Sequence, residues 1–185
     1  MDGFKTVAYS ETILSELMIP SYSNFGGKIH GGVILSLMDK VAYVCAAKHA
    51  DAYCVTASID KVDFLAPVEV GQLVSLLASV NYVGRSSLVI GIKVISENIK
   101  THEVKHTNTS YFTMVAFGDD NKTIQVPGLI LNSPTQARRF FKAFQRKELK
   151  KKYKQEEGLE KIINTTAEYL TVLKEERCVW VQAGS

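Results

Sequence analysis

The segment that decides the fold lies between residues 24 and 50 and reads NFGGKIHGGVILSLMDKVAYVCAAKHA. From residue 30 onward its apolar side chains recur at helical spacing, which predicts a helix over residues 30–50. The apolar stripe of this helix consists of Ile34, Met38, Val41 and Cys45, extended by Leu35, Ala42 and Ala46. Because little of the circumference is polar, we expect a sheet or a partner subunit to cover much of the helix.

Segments rich in β-forming residues flank this helix. One extended segment precedes it, and four follow it; they span residues 4–18, 52–65, 72–82, 88–94 and 104–117. One strand, one long buried helix and four strands, in this order, predict an α+β fold. In this fold an antiparallel sheet wraps around a central helix.

Composition and charge narrow the classes of function. Of the 185 residues 46% are hydrophobic and 22% are charged, and no run of 18 apolar residues occurs. These values exclude a disordered chain and predict no membrane span. The net charge of +3 comes from residues 138–154, which hold nine basic residues and one acidic residue. Since the rest of the chain is mildly acidic, nucleic-acid binding is not supported.

The cysteines and the N-terminus indicate the compartment. Cys45, Cys54 and Cys178 have neither metal-ligand spacing nor the density of a disulfide scaffold. Residues 1–16 lack the apolar core of a signal peptide. We therefore expect a cytoplasmic protein without a metal site.

The composition changes near residue 131. From Pro134 onward the chain is rich in Lys, Glu, Gln, Arg and Leu, which favour helix. Ser133 is predicted to cap a helix whose first residue is Pro134. We therefore expect a domain of residues 1–131 and a helical C-terminal extension of residues 132–185.

The basic segment, residues 138–154, is predicted to form an amphipathic helix, which Gly158 separates from a second helix over residues 159–177. Three interpretations of this segment stay open. It packs as a solvated helix on the domain or on a neighbouring subunit. Alternatively, Arg138 or Arg139 lies close to an anionic ligand, or the segment contacts an anionic membrane surface.

Two features of the central helix are candidates for chemistry. Gly31 and Gly32 expose backbone N–H groups at the helix start, which favours a developing oxyanion there. Asp39 follows Gly32 by seven residues, two helical turns along one face, and can act as a general base. Each feature also has a structural interpretation. Glycines permit close packing, and Asp39 can be a satisfied polar residue at the edge of the stripe.

Several spaced motifs resemble one known family in the same order. They are NFGGKIHGG at residues 24–32 followed by Met38-Asp39, SIDKVDFLAPV at 58–68, YVGRSS at 82–87 and FTMVA at 112–116. Over residues 5–131 the chain is similar to the hot-dog-fold acyl-CoA thioesterases, most of all to the cytosolic acyl-CoA hydrolase group. The resemblance implies that the wrapped sheet and its helix form a single hot-dog domain.

The resemblance also implies the reaction. The protein would hydrolyse acyl-CoA to a free carboxylic acid and CoA without a metal or an organic cofactor. The N–H groups of Gly31 and Gly32 would hold the thioester carbonyl. Asp39 would activate a water or, as an alternative, attack as a nucleophile, with Asn24 assisting. In the family the site is shared between two subunits of a dimer, and such dimers often associate as trimers of dimers.

The turn at residues 84–87 is implied to contact CoA. In it Arg85 offers a forked cation for a phosphate, and the backbone of Gly84 and the hydroxyls of Ser86 and Ser87 offer further donors. An ordinary hairpin turn with a solvated arginine is the structural alternative. His30 is counted among the substrate-binding residues because it would fix the loop at the helix start. Two rival functions on the same fold stay open, a non-catalytic acyl-CoA sensor and a hydroxyacyl-thioester dehydratase.

Overall fold

The computed structural model describes residues 3–160, and for Lys154 and residues 156–160 it describes the backbone alone. In chain order the elements are β1 (Phe4–Thr6), α1 (Val7–Ser10), β2 (Thr12–Leu17), a 3-10 turn (Pro20–Tyr22), α2 (Gly31–Ala50), β3 (Tyr53–Ile59), β4 (Gln72–Val83), β5 (Ser87–Asn98), β6 (Val104–Phe117), β7 (Gly128–Ile130) and α3 (Pro134–Glu160). The described chain forms two compact units, which divide after Ala143.

A five-stranded antiparallel sheet and the long helix α2 form the centre of the first unit. The strand order is β2-β4-β5-β6-β3, so β2 and β3 are the two edges. One face of the sheet packs on α2, and alternate residues of β4, β5 and β6 enter the core there; they include Val74, Leu76, Leu88, Ile90, Ile92, Phe112 and Met114. The predicted antiparallel sheet around a central helix is confirmed.

Helix α2 is buried along one side and exposed along the other. Its stripe of Ile34, Met38, Val41, Ala42, Cys45 and Ala46 lies in the core, as predicted. The opposite side carries Gly32, Ser36 and Asp39, and further along it Tyr43 and Val44 remain 41% and 39% exposed. Within one chain the sheet therefore leaves an apolar part of the helix surface uncovered.

The strand predicted over residues 4–18 is divided in the structure. Thr6 ends β1 and caps the short helix α1, because its hydroxyl accepts a hydrogen bond from the Tyr9 N–H at 3.2 Å. Strand β1 pairs in parallel with β7, outside the main sheet, and only β2 joins that sheet. The continuous extended segment was thus a wrong prediction, since a capping threonine interrupts it.

A buried histidine joins three parts of this region. The Nδ1 atom of His49 lies 3.3 Å from the Ser10 hydroxyl on α1, and its Nε2 atom lies 3.3 Å from the Pro127 carbonyl. Burial lowers the pKa of His49 below its ordinary value, and the nearby Lys5 acts in the same direction. His49 therefore serves as a neutral link between α1, α2 and the segment before β7.

Helix α3 begins as the sequence predicts. Pro134 is its first residue, and the Ser133 hydroxyl accepts a hydrogen bond from the Gln136 N–H at 3.3 Å. The predicted break at Gly158 is wrong, because the helix continues through this residue to Glu160. A helix tolerates an interior glycine at a cost of about 1 kcal/mol. The remainder of the predicted second helix lies outside the described residues.

Within the first unit, α3 contacts the sheet through an aromatic pair. The rings of Phe140 and Tyr82 lie 5.0 Å apart between centroids, and Ala143 is buried. In the second unit the helix exposes Leu149 and Tyr153, and Lys150, Lys151 and Lys152 are also exposed. None of the described helices is long and apolar enough to cross a bilayer.

Candidate active site

The imidazole of His30 caps the start of α2. Its Nδ1 atom accepts a hydrogen bond from the Gly32 N–H at 2.9 Å, so the neutral ring carries its proton on Nε2. A Cβ atom at position 32 would lie 3.0 Å from this Nδ1 atom, so a side chain there would crowd the cap. The cap therefore engages one of the two N–H groups that the sequence suggests for a carbonyl.

The other N–H group, that of Gly31, takes part in none of the hydrogen bonds found among residues 3–160. The Phe64 ring lies beside it, at 3.3 Å from the place where a Cβ atom of residue 31 would stand. Phe64 is held there because the next residue, Leu65, donates its N–H to the Thr107 carbonyl at 2.8 Å. At the helix start, the open donor next to an apolar ring is thus the Gly31 N–H.

Asn24 shapes the loop that precedes the helix. Its Oδ1 atom accepts hydrogen bonds from the Gly26 N–H at 2.9 Å and the Lys28 N–H at 3.1 Å. Gly27 has φ +74°, which glycine adopts without strain. Since the loop occupies the oxygen, the Nδ2 group of Asn24 is the end of the side chain that can donate to a substrate or a water.

Asn24 and Gly31 line a common pocket of about 370 Å³. Its other walls are Lys28 and a largely apolar set consisting of Ile29, Ile34, Phe64, Leu65, Ala66, Pro67 and Val68. The ammonium group of Lys28 forms an ion pair with the Glu69 carboxylate at 2.5 Å. The pocket thus combines a backbone donor and an amide donor with a largely apolar lining, which suits a polar carbonyl on an apolar chain.

Asp39 lies outside this pocket, paired with a residue that sequence reasoning missed. The Thr56 hydroxyl on β3 donates a hydrogen bond of 2.6 Å to Asp39 Oδ1, which leaves Oδ2 to act on a water. The next residue, Ala57, is the extra residue of a bulge in the pairing of β3 with β6. No local motif marks Thr56, since its role depends on how β3 packs beside α2.

Asn24 and Asp39 of one chain do not line a common pocket. Gly31, which lines the pocket with Asn24, precedes Asp39 by eight helical residues, a rise of about 12 Å. We therefore describe two half-sites, the donor half-site (Asn24 and Gly31) and the base half-site (Asp39 and Thr56).

The turn at residues 84–87 is a closed hairpin turn with an exposed arginine. The Gly84 N–H donates to the Ser87 carbonyl at 2.7 Å, and the Arg85 carbonyl accepts from the Val126 N–H at 2.9 Å. The Arg85 guanidinium takes part in none of the ion pairs found in the described part of the chain. These hydrogen bonds fix the backbone of the turn. The Arg85 guanidinium is available to bind a phosphate with two parallel hydrogen bonds.

The two described cysteines do not have the properties of nucleophiles. Burial raises the pKa of the Cys45 thiol to about 12 and that of Cys54 to about 11, so both stay protonated near neutral pH. Cys178 lies outside the described residues. Between residues 3 and 160 no three His, Cys, Asp or Glu side chains lie together in a way that could hold a metal ion.

Comparison with known proteins shows which family the chain belongs to. The sequence model of the thioesterase superfamily matches residues 26–102. The Helicobacter pylori protein VdlD is 43% identical over 145 residues, which cover 78% of this chain and 83% of that protein. Residues 26–102, which the family model matches, contain the helix start, Asp39 and Thr56.

Two solved structures extend the match to most of the chain. A hexameric acyl-CoA thioesterase without ligand is 37% identical, with a TM-score of 0.78, and covers 80% of this chain and 96% of its own. An acyl-CoA hydrolase from Staphylococcus aureus, solved with butyryl-CoA, CoA and CoA disulfide, is 30% identical, with a TM-score of 0.77. The match covers 91% of this chain and 99% of the hydrolase chain.

The Staphylococcus aureus hydrolase has also been solved as three single alanine variants. They replace an asparagine, an aspartate fifteen residues after it and a threonine seventeen residues after that. The fold, the family model and the extent of these matches agree with one another. The chain belongs to the thioesterase superfamily and has its hot-dog fold.

Proposed function

We propose that the protein hydrolyses acyl-CoA thioesters to a carboxylic acid and CoA, at a site that two chains build together. The observation that carries this proposal is the separation of the donor half-site from the base half-site along α2. A site with donors for the carbonyl and a base for the water is completed when the donor half-site of one chain meets the base half-site of its partner.

The surface of the chain supports such a dimer. Strand β3 is an edge of the sheet, so one row of its N–H and C=O groups has no strand partner among residues 3–160. Apolar side chains lie near this edge, namely Tyr53, Ile59, Tyr43 and Val44, all of them exposed. We therefore propose that two sheets join through their β3 edges, which would bring Thr56 and Asp39 to the subunit boundary.

The relatives give further support to the residues chosen. Asn24, Asp39 and Thr56 follow one another at the same separations, fifteen and seventeen residues, as the three residues replaced in the Staphylococcus aureus hydrolase. By analogy with the hexameric thioesterase, we propose that three such dimers associate. The expected assembly is therefore a trimer of dimers with six composite sites.

The proposed reaction begins with polarisation of the thioester carbonyl. Its oxygen accepts hydrogen bonds from the Gly31 N–H and from Asn24 Nδ2, which stabilise the negative charge that develops there. The partner's Asp39 takes a proton from a water through Oδ2, and the water oxygen bonds to the carbonyl carbon. The tetrahedral intermediate then collapses. The C–S bond breaks, and CoA leaves as a thiolate that regains the proton.

In this mechanism Thr56 is a positioning residue. Its hydrogen bond to Oδ1 fixes the plane of the Asp39 carboxylate, so that the lone pairs of Oδ2 point to one place. His30 likewise positions the donor half-site, since its cap on Gly32 fixes the first turn of α2. For CoA itself we propose that a phosphate binds Arg85, with donors from Gly84, Ser86 and Ser87.

The decisive experiment measures thiol release from butyryl-CoA and longer acyl-CoAs by wild type and by Asp39→Asn. We expect turnover by wild type and a loss of about 10²- to 10⁴-fold in kcat for the variant, with an unchanged circular dichroism spectrum. Absence of thiol release from every acyl-CoA by wild type would contradict the proposed activity. Full turnover by Asp39→Asn would contradict the mechanism while leaving the activity intact.

The same assay can separate a general base from a nucleophile. A single turnover in H₂¹⁸O places the label in the product acid if water attacks the thioester directly. If Asp39 attacks instead, hydrolysis of the resulting anhydride at the aspartyl carbonyl leaves label in the protein. Mass spectrometry of acid and protein after one turnover distinguishes the two outcomes.

A further inference from the structure

A second pocket, of about 410 Å³, lies on the face of the sheet that is turned away from α2. We call it the outer pocket; its lining residues come from β2, β4, β5, β6 and the first turns of α3. The lining combines apolar side chains, such as Ile13 and Leu77, with the cations Lys93 and Arg139. No step of the proposed hydrolysis uses it.

The floor of this pocket is built around Asn81. Strand β4 has a bulge at this residue, between the pairs Val80–Ile90 and Tyr82–Val89. A bulge redirects the side chain of the extra residue. Asn81 is only 5% exposed, and its Oδ1 atom accepts a hydrogen bond from the Ser79 hydroxyl at 3.2 Å. This contact engages the oxygen and leaves Nδ2 as the donor.

Gly91 on the neighbouring strand makes room for this amide. A Cβ atom at position 91 would lie 2.1 Å from Asn81 Nδ2, so any side chain there would displace it. Both Asn81 and Gly91 line the pocket. Across the described residues no hydrogen bond uses the Nδ2 group of Asn81. An amide donor that lines a pocket and has no partner among the described residues can donate to an acceptor supplied from outside.

The charge of the pocket identifies the acceptor as an anion. Lys93 and Arg139 form none of the ion pairs found among residues 3–160. Glu11 is the single acidic side chain among the lining residues, so the cations are in excess. The Arg139 guanidinium and the Asn81 amide both line the pocket, and these two groups suit the oxygens of a carboxylate. Ile13 and Leu77 suit a short apolar tail.

We propose that the outer pocket binds a small organic carboxylate with an aliphatic tail, at a site separate from both half-sites. The carboxylate accepts hydrogen bonds from Asn81 Nδ2 and Arg139, and the tail lies on Ile13 and Leu77. This proposal does not depend on the proposed hydrolysis, since none of its residues takes part in that reaction.

The test is a titration of the full-length protein, carrying ¹³C-labelled Ile and Leu methyl groups, with sodium hexanoate. Methyl signals of Ile13 and Leu77 report on the outer pocket, and those of Ile29 and Ile34 report on the pocket beside Gly31. We expect saturable shifts at Ile13 and Leu77. With 1-hexanol, which has the tail without the charge, we expect binding to be at least about 10-fold weaker.

Two arginine variants make the test specific. Arg139→Gln should weaken the hexanoate titration by about 10-fold or more, because it removes the charge-assisted hydrogen bonds. The matched control is Arg138→Gln, which changes an exposed neighbour that does not line the pocket and should leave the titration unchanged. Asn81→Asp, which replaces the donor with a charge of the wrong sign, should abolish the shifts at Ile13 and Leu77.

Four outcomes would overturn the proposal. The first is that the methyl shifts are confined to Ile29 and Ile34, and the second is that hexanoate and 1-hexanol bind with equal affinity. The third is that wild type and Arg139→Gln bind hexanoate with equal affinity. The fourth is that CoA displaces hexanoate from Ile13 and Leu77. The last result would assign the pocket to the CoA-binding surface. If Asn81→Asp fails to fold, the surface variant Arg139→Gln still decides the question.

Discussion

The Thr56 hydroxyl donates a hydrogen bond of 2.6 Å to the Asp39 carboxylate and so links strand β3 to helix α2 at the base half-site. We expect Thr56→Val to lower kcat by about 10- to 100-fold, because the carboxylate loses a charge-assisted hydrogen bond and its fixed orientation. Valine keeps the volume of threonine, so the fold should persist. Steady-state kinetics with butyryl-CoA measure the effect.

Thr56→Ser is the matched control for this change, since it keeps the hydroxyl and removes one methyl group. It should restore most of the lost kcat with little change in KM. If Thr56→Val were as active as wild type, the hydrogen bond would have no part in catalysis.

Asn24 has two functions that substitutions can separate. Asn24→Asp keeps an oxygen that accepts the Gly26 and Lys28 N–H groups, so the loop should keep its conformation. It removes the Nδ2 donor, and kcat should fall by about 10²- to 10³-fold, the usual cost of one oxyanion donor. The kinetics of Asn24→Asp with a short acyl-CoA check this.

Asn24→Ala loses both functions of the side chain. We expect a similar loss of kcat together with a lower thermal midpoint, since two loop N–H groups lose their acceptor. If Asn24→Asp kept full activity while Asn24→Ala did not, Asn24 would act only through the loop.

The buried His49 predicts how stability depends on pH. Its pKa is lowered in the folded state, so the unfolded chain takes up the proton first as the pH falls. Stability is therefore complete above the ordinary histidine pKa of about 6.5 and declines as the pH falls toward the lower folded value. Urea midpoints measured between pH 7.5 and pH 5 give the slope.

His49→Gln provides the control for this prediction. It removes the titrating group but keeps polar atoms near Ser10 and the Pro127 carbonyl, so the overall stability should fall at pH 7.5. The decline of stability between pH 6.5 and pH 5 should become shallower than in wild type. An equal slope in both proteins would assign the pH dependence to other groups.

Arg85 is expected to act in binding and not in the chemical step. Arg85→Gln should raise KM for acyl-CoA by about 10-fold, because one charge-assisted contact to a phosphate is lost, and should leave kcat close to wild type. The ratio of the two KM values should shrink at high salt, which screens the exposed guanidinium. An unchanged KM would return residues 84–87 to the role of an ordinary hairpin turn.

The periodicity of the sequence was sufficient to predict the core of the fold. The apolar stripe around Met38 located α2 to within one residue, and Ser133 with Pro134 marked the start of α3. Local sequence patterns gave a wrong prediction where a single hydrogen bond determines the backbone conformation. At Thr6 the hydroxyl caps α1, and this cap divides the strand that was predicted over residues 4–18.

The candidate site was predictable only in part. Sequence motifs drew attention to Asn24 and Asp39, but the roles assigned to them stay predictions. Thr56 has no local signature, since strand packing brings it to Asp39. Which N–H group is open at the helix start depends on the orientation of the His30 ring. The domain boundary at residue 131 and the cytoplasmic location also stay predictions.

The separation of about 12 Å between Gly31 and Asp39 has a genetic consequence if the site is composite. A chain defective in Asn24 keeps an intact base half-site, and a chain defective in Asp39 keeps an intact donor half-site. When the two defective chains are co-expressed, they can form a mixed dimer. One composite site of this dimer contains an intact Asn24 and an intact Asp39, and the other site contains both substitutions. Two alleles that are each inactive alone would therefore complement in the same cell.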